Sequence, residues 1–194
     1  YSQCLDESGN YYLNYLSEAG LRMGEILEDL LRLSKSKCLR LMDSSFNLST
    51  MAEGIMEQLQ QADPNRQIEF NVMPDLIVEG DQQLLKIALE NLLINAYKYT
   101  AKEPIARISF GQLFEERNPI PIYFVKDNGV GFDEEKEGEV FIPFHRLHDL
   151  KDFSGTGIGL ATVKRIIERH GGKIWHESHR NQGAIFYFTL GGGN

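Results

Sequence analysis

Asn91, Asn95 and Lys98 stand at i, i+4 and i+7 of one apolar-periodic segment, so a helix carries all three along a single stripe. Asparagine is less favourable than alanine in a helix interior by about 0.7 kcal/mol, and two on one stripe require a reason. A carboxamide oxygen is a hard ligand of the kind Mg²⁺ accepts, and a lysine one turn on can meet phosphate. A solvated polar edge would give the same stripe. Asp127-Asn128-Gly129-Val130-Gly131-Phe132 follows the extended run Ile122–Val125. A carboxylate at a strand end can accept a hydrogen bond from an exocyclic amine. The two glycines let backbone approach a flat ring or take positive φ, although Asn-Gly is equally an ordinary turn. Gly155-Thr156-Gly157-Ile158-Gly159-Leu160 stands immediately before a helical pattern. Glycines alternating at a helix start expose N–H groups that hold phosphate, assisted by the helix dipole.

Between the two glycine segments, residues 133–154 begin acidic, with Asp133, Glu134, Glu135, Glu137 and Glu139. Val140-Phe141-Ile142-Pro143-Phe144 then places large apolar groups in a connection, and Arg146 follows. Such a segment reads as a lid whose aromatics dock it and whose cation meets a phosphate. His145, His148 and Asp149 have no cysteine or further spaced histidine nearby, so zinc is not expected. The P-loop signature is absent, and no strand runs into a G-x-G-x-x-G turn, which disfavours a P-loop enzyme and a Rossmann dehydrogenase.

The helices and strands that carry these groups can be read from the periodicity. Leu85, Ala88, Leu89, Leu92, Leu93 and Ala96 form the apolar face of a helix from Asp81, its N-cap, to about Tyr99. A shorter helix is expected over about 49–61, with Thr50 and Glu53 spaced as a capping box and Asp63-Pro64-Asn65 ending it. Ile68, Phe70 and Val72 alternate as a strand, and Leu76-Ile77-Val78 form another. Strands follow at about 105–114 and 121–127, a helix at about 157–170 stopped by Gly171-Gly172, and strands near 173–178 and 184–190. This order implies an α/β sandwich, a mixed sheet with helices on one face.

Upstream, Leu13, Leu16, Gly20, Met23, Leu27 and Leu30 recur at spacings of 3, 4, 3, 4 and 3. That seam predicts a long bundle helix over 11–42. Ile26, Leu31 and Leu33 widen its apolar surface beyond what one helix can leave exposed, so partner helices are expected. The chain turns polar at Asp43-Ser44-Ser45, and two domains are expected, 1–44 and 45–194.

The 194 residues carry 20 Lys+Arg against 28 Asp+Glu, a formal net charge of −8. With 42% apolar and 25% charged residues, the chain has the composition of a globular protein able to bury a core. The acidic balance argues against sequence-independent nucleic-acid binding. The longest unbroken apolar run, Ala184 to Phe188, is five residues, too short to span a membrane. Residues 1–12 are polar and do not read as a signal peptide. Two cysteines, Cys4 and Cys38, fit a reducing compartment, and a cytoplasmic location is expected. Tyr rather than Met at the first position leads us to expect a piece of a longer protein, which could be membrane-anchored upstream.

Glu90-Asn91-Leu92-Leu93-Ile94-Asn95-Ala96-Tyr97-Lys98-Tyr99-Thr100 resembles the N box of sensor histidine kinases. Asp127 to Phe132 resembles their first glycine box, Phe141-Ile142-Pro143-Phe144 their F box, and Gly155 to Leu160 their second glycine box. Gly183 before Phe186-Tyr187-Phe188-Thr189-Leu190 is similar to their last one. The resemblance covers residues 11 to 190, and Phe144-His145-Arg146-Leu147-His148 with Gly155 to Gly172 looks most like phytochrome-type and PAS-linked sensors.

The resemblance implies a Bergerat ATP-binding fold of the GHKL superfamily, binding ATP with Mg²⁺. By it, Asn91 and Asn95 would hold Mg²⁺ and the phosphates, and Lys98 and Tyr99 would contact phosphate or ribose. Asp127 would bind the adenine amine, with Gly129 and Gly131 shaping the adenine pocket. Arg146 would reach the γ-phosphate from the lid that carries Phe144. The stretch Gly155, Thr156, Gly157, Ile158, Gly159 and Leu160 would hold the phosphate chain through backbone N–H groups. The γ-phosphoryl would pass to a histidine on a helical bundle and on to a response regulator receiver domain, with the bundle forming a homodimer.

Two departures stand out. The family's acceptor histidine lies on the first helix of a hairpin, followed by an acidic residue and a proline. Here His145, His148, His170, His176 and His179 all fall outside such a context. Residues 1–42 resemble the hairpin's connection and second helix, so this chain is expected to bind ATP without phosphorylating itself on the usual histidine. Ala184 stands where the family often carries Thr, with little consequence expected. The alternatives are another GHKL-fold ATPase or serine kinase, and a non-catalytic nucleotide-binding scaffold. Gyrase- or chaperone-type ATPases need a glutamate base on the face held by Asn91. Glu90 is one position off, rotated by about 100° on the helix.

Overall fold

A computed structural model describes residues 43–115, 118–132, 139–145, 153 and 156–191. The helix expected over 11–42 lies outside the described residues. The described chain opens with a strand the sequence reading did not contain. β1 (Asp43–Asn47) pairs antiparallel with β3 (Ile77–Asp81), Phe46 opposite Val78 and Ser44 opposite Gly80. The boundary expected at 44/45 falls inside this strand.

β1 runs straight into α1 (Leu48–Ala62). Asn47, not Thr50, caps it: its side-chain oxygen accepts from the N–H groups of Ser49 (2.8 Å) and Thr50 (3.3 Å). The Thr50–Glu53 capping box is therefore corrected, three residues too late. The physical reason lies in Ser49, whose hydroxyl donates to Met73 O at 2.6 Å and accepts from Leu76 N at 3.1 Å. These bonds place the helix start on the connection before β3. Leu48, Ala52, Ile55 and Met56 form the buried stripe of α1.

α2 (Gln82–Tyr99) begins as expected, with Asp81 accepting from Gln83 N and Leu84 N, each at 3.1 Å. Its buried face carries Leu85, Ala88, Leu89, Leu92, Leu93 and Ala96, so the Asn91–Lys98 stripe lies along the margin of that face. α3 (Gly159–Arg169) is amphipathic, burying Ala161, Thr162, Val163, Ile166 and Ile167. It ends where Gly171 takes φ +70 and the Gly171 and Gly172 N–H groups bond Glu168 O and Ile167 O.

The main sheet adds β2 (Ile68–Val72), β4 (Ala106–Glu115), β5 (Asn118–Asp127), β6 (Ile174–Ser178) and β7 (Ala184–Thr189), in the order β2-β4-β5-β7-β6. β2 runs parallel to β4 and every other pairing is antiparallel, so the sheet is mixed, as expected. Strand alternation puts Ile108, Phe110, Tyr123, Val125, Phe186 and Phe188 on one face, where they share a core with all three helices. Leu92 and Leu93, at the centre of that core, are at most 1% exposed. α2 packs on both α1 and α3, and Asn91 on it meets Gly159 at the start of α3.

Candidate functional site

The site is built where α2, the end of β5 and the start of α3 meet. Asn91 Nδ2 donates to Ile87 O at 2.8 Å, within its own helix, so its Oδ1 is turned outward. An ideal Cβ on Gly159 would stand 2.6 Å from that oxygen. The carboxamide stripe and the glycine run therefore touch. Asn95 lies one turn further along α2 and is half-buried. Lys98 Nζ donates to the Tyr99 hydroxyl at 3.2 Å and lies 4.5 Å from the centre of that ring.

Asp127, the last residue of β5, is buried, and its Oδ1 accepts from Gly129 N (2.8 Å) and Ala184 N (3.3 Å). Burial pushes its carboxyl up to about 6, against a downward pull from these two backbone bonds. Oδ2 accepts from none of the described residues. The turn that follows is held from three sides. Asn128 accepts from Arg107 N at 2.7 Å and donates to Ile105 O at 3.0 Å. A Cβ on Gly129 would collide with the Tyr99 carbonyl, which also accepts from Val130 N at 3.2 Å. Gly131 takes φ +54 against the His179 carbonyl, and Asn181 N–H bonds Val130 O at 2.7 Å. The β6–β7 turn thus closes over the Asp127 loop, with Gly183 packed on the Asp127 carbonyl.

At the start of α3, Ile158 is the N-cap and no side chain caps this end, unlike α1 and α2. The first-turn N–H groups are the donors that a helix presents to an anion. Thr156 Oγ1 accepts from Ile158 N at 3.3 Å, and Ile158 is fully buried. Leu160 packs against the core. Gly157, at φ +76, accepts from Phe144 N–H at 2.9 Å, so the Phe141–Phe144 turn is latched to the glycine run.

Docking of that turn is narrower than the sequence implied. Val140 is buried, and Phe141 packs on His176 and Phe186 with ring centres 5.8 and 6.5 Å away. Ile142 and Phe144 remain 49% and 57% exposed, and Phe144 adopts φ +65. His145 Nε2 meets Glu139 Oε2 at 3.0 Å, tying the two ends of the turn. Arg146 and Gly155, singled out by sequence, lie outside the described residues, as does His148.

Sequence reasoning missed two contributors. Phe153, one aromatic in a polar stretch, is buried against Tyr99 at 5.1 Å. Ala184 enters through its N–H, which carries no side-chain signal. Asn128 gave a signal, since Asp-Asn-Gly after a strand is a turn whose amide can tie the loop back.

The sequence pattern of the histidine kinase-, DNA gyrase B-, and HSP90-like ATPase family matches residues 80–192, which take in α2, the Asp127 loop and α3. Cyanobacterial phytochrome A of Nostoc sp. strain PCC 7120 is 32% identical over 193 residues, covering 98% of this chain and 24% of its own length. The chain spans about a quarter of the length of the curated relatives it matches first, all three of them phytochromes or phytochrome-like. Among solved structures, the catalytic domain of histidine kinase ThkA superposes with a TM-score of 0.62 at 30% identity, covering 76% of this chain and 94% of that one. The complex of ThkA with response regulator protein TrrA superposes at 0.65 and 27% identity, covering 96% of this chain and 51% of the kinase. The chain belongs to the histidine kinase-, DNA gyrase B-, and HSP90-like ATPase family, and its relatives include histidine kinases.

Proposed function

We propose that this chain is the ATP-binding catalytic domain of a sensor histidine kinase, which transfers the γ-phosphoryl of ATP to a histidine on a helical bundle for relay to a response regulator. The observation that carries the reading is the meeting of Asn91 Oδ1, on the helix whose last residue, Tyr99, holds the loop after the buried Asp127, with Gly159 at the start of α3. The donor set suits Mg²⁺: Asn91 and Asn95 would offer it neutral, hard amide oxygens, beside those of phosphate and water. When bound, the ion would neutralise charge on the phosphates.

The protein's own groups then do the positioning on which phosphoryl transfer depends. Asp127 Oδ2 accepts from the exocyclic amine of adenine, while Gly129 and Gly131 let backbone close on the ring. Lys98 and Tyr99 meet ribose or phosphate at the end of α2. First-turn N–H groups of α3, from Gly159 onward, take the phosphate chain, and Arg146 supplies a further cation. Removal of one contact to developing charge costs such a site about 10²–10³-fold in rate.

Glu90 argues against the water-activating ATPases of this fold. Its carboxylate pairs with Lys86 at 3.8 Å, one helical turn back, away from the Asn91 side chain. Pairing through residues 11–42 as a homodimer, a response regulator receiver domain as partner, and a cytoplasmic location complete the proposal. The resemblance to ThkA, solved with its regulator TrrA, supports the partner class. Calorimetric titration with MgATP tests the reading: the parent binds, Asn95→Ala does not while keeping its fold, and Glu90→Gln leaves any slow ATP turnover unchanged. Absence of magnesium-dependent binding in the parent would return the scaffold reading.

A further inference from the structure

We propose that Phe153 is a positioning residue for the nucleotide, acting through Tyr99 and Lys98. The inference rests on the nucleotide reading of the site and adds a residue to it. In sequence, Phe153 stands between Lys151-Asp152 and Ser154, where an aromatic has no helical or strand partner of its own. It is nevertheless only 6% exposed. Its ring meets Tyr99 edge to face, with centres 5.1 Å apart and planes at 68°, the arrangement favoured by the ring quadrupoles. Lys102 Nζ lies 5.3 Å from the Phe153 ring centre. On Tyr99 itself, Lys98 Nζ lies 4.5 Å from the ring and donates to its hydroxyl.

The Tyr99 side chain is thus packed by Phe153 and tethered by Lys98, and its carbonyl anchors the Asp127 loop through Val130. Rotation of the phenol would carry the Lys98 ammonium with it. Phe153 fixes the rotamer of Tyr99, and through the shared hydrogen bond it aims the one α2 cation suited to a phosphate. It touches neither adenine nor phosphate in this scheme. The effect belongs to the phosphate end of the ligand, not to the base.

The test compares MgATP with adenine, both by calorimetry, in the parent and in Phe153→Ala, Phe153→Leu and Phe153→Tyr. Loss of the ring should raise the Kd for MgATP about tenfold, the scale of one hydrogen bond to a charged group, and leave adenine almost unchanged. Phe153→Leu keeps apolar volume without the ring edge and should show the same selective loss, which covers the case of an alanine variant that folds poorly. Phe153→Tyr restores parental affinity. Equal losses for MgATP and adenine, or alanine and leucine variants that bind MgATP as tightly as the parent, would overturn the inference. A parent that binds no MgATP would overturn the nucleotide reading itself, a different result from a parent that binds and a Phe153 variant that binds equally.

Discussion

Asn91 Oδ1 occupies the ground a side chain on Gly159 would need, 2.6 Å from an ideal Cβ. Gly159 has an ordinary negative φ, so the backbone does not demand glycine there. The neighbour demands it. A residue on α2 and a residue on α3, 68 positions apart, are matched in size at the point where a phosphate would enter.

Gly159→Ala separates the fold from the site. Alanine favours a helix over glycine by about 1 kcal/mol, and the atoms in its way are the end of one side chain, not backbone. Stability should stay within about 1 kcal/mol of the parent. Asn91, held by its bond to Ile87 O, must swing its carboxamide aside. MgATP affinity should fall about tenfold or more, read by calorimetry beside a thermal melt.

What the sequence disclosed follows from how local each signal is. The Asn91–Asn95–Lys98 stripe and the Asp81 cap depend on helical spacing alone, and both stand where periodicity puts them. Asp127 with its glycines was legible because a strand end, a carboxylate and two small residues occur in one short run. β1 was not: Asp43-Ser44-Ser45-Phe46-Asn47 has one apolar residue, and it is a strand because β3, over thirty residues later, pairs with it. Phe153 stayed hidden for the same reason, since Tyr99 buries it from a distant helix end. Of Val140–Phe144, composition could not say which groups dock: Val140 and Phe141 meet the core, and Ile142 and Phe144 stay exposed.

The reassigned cap of α1 has a direct test. Asn47→Ala removes the acceptor of the Ser49 and Thr50 N–H groups and should destabilise the domain by about 1 kcal/mol. Thr50→Ala, at the position where a capping box would need it, should shift the urea midpoint far less. Equal effects would restore the capping box.

His170 ties the end of α3 to the start of α2. Its Nε2 accepts from Asp81 N–H at 3.1 Å and its Nδ1 lies 2.8 Å from Ile166 O, so the neutral ring carries its proton on Nδ1. His170→Ala leaves the Asp81 N–H without this acceptor beside the cap and should cost about 1–3 kcal/mol in urea unfolding. His170→Phe keeps the ring volume but not the acceptor and should recover little. Recovery by Phe would mean that packing, not the hydrogen bond, is what the ring contributes.

Asp127 sets a pH dependence of definite sign. Burial raises its carboxyl from 3.8 to about 6 in the folded state, so the fold binds this proton more tightly than the unfolded chain does. Stability contributed by the protonated form is therefore present at low pH and is lost as pH rises through about 6. The shift corresponds to about 3 kcal/mol, spread over the interval between the unfolded and folded values. Nucleotide affinity runs the other way, because the carboxylate is the better acceptor for an exocyclic amine and disappears below about 6. Urea unfolding from pH 4 to 8 should show the parent losing stability relative to Asp127→Asn as pH rises, which isolates this carboxyl from other titrating groups. In the same range MgATP affinity of the parent should climb, while Asp127→Asn binds weakly and without an inflection. A parent and variant whose two pH curves run parallel would show that Asp127 is neither the titrating group nor the acceptor.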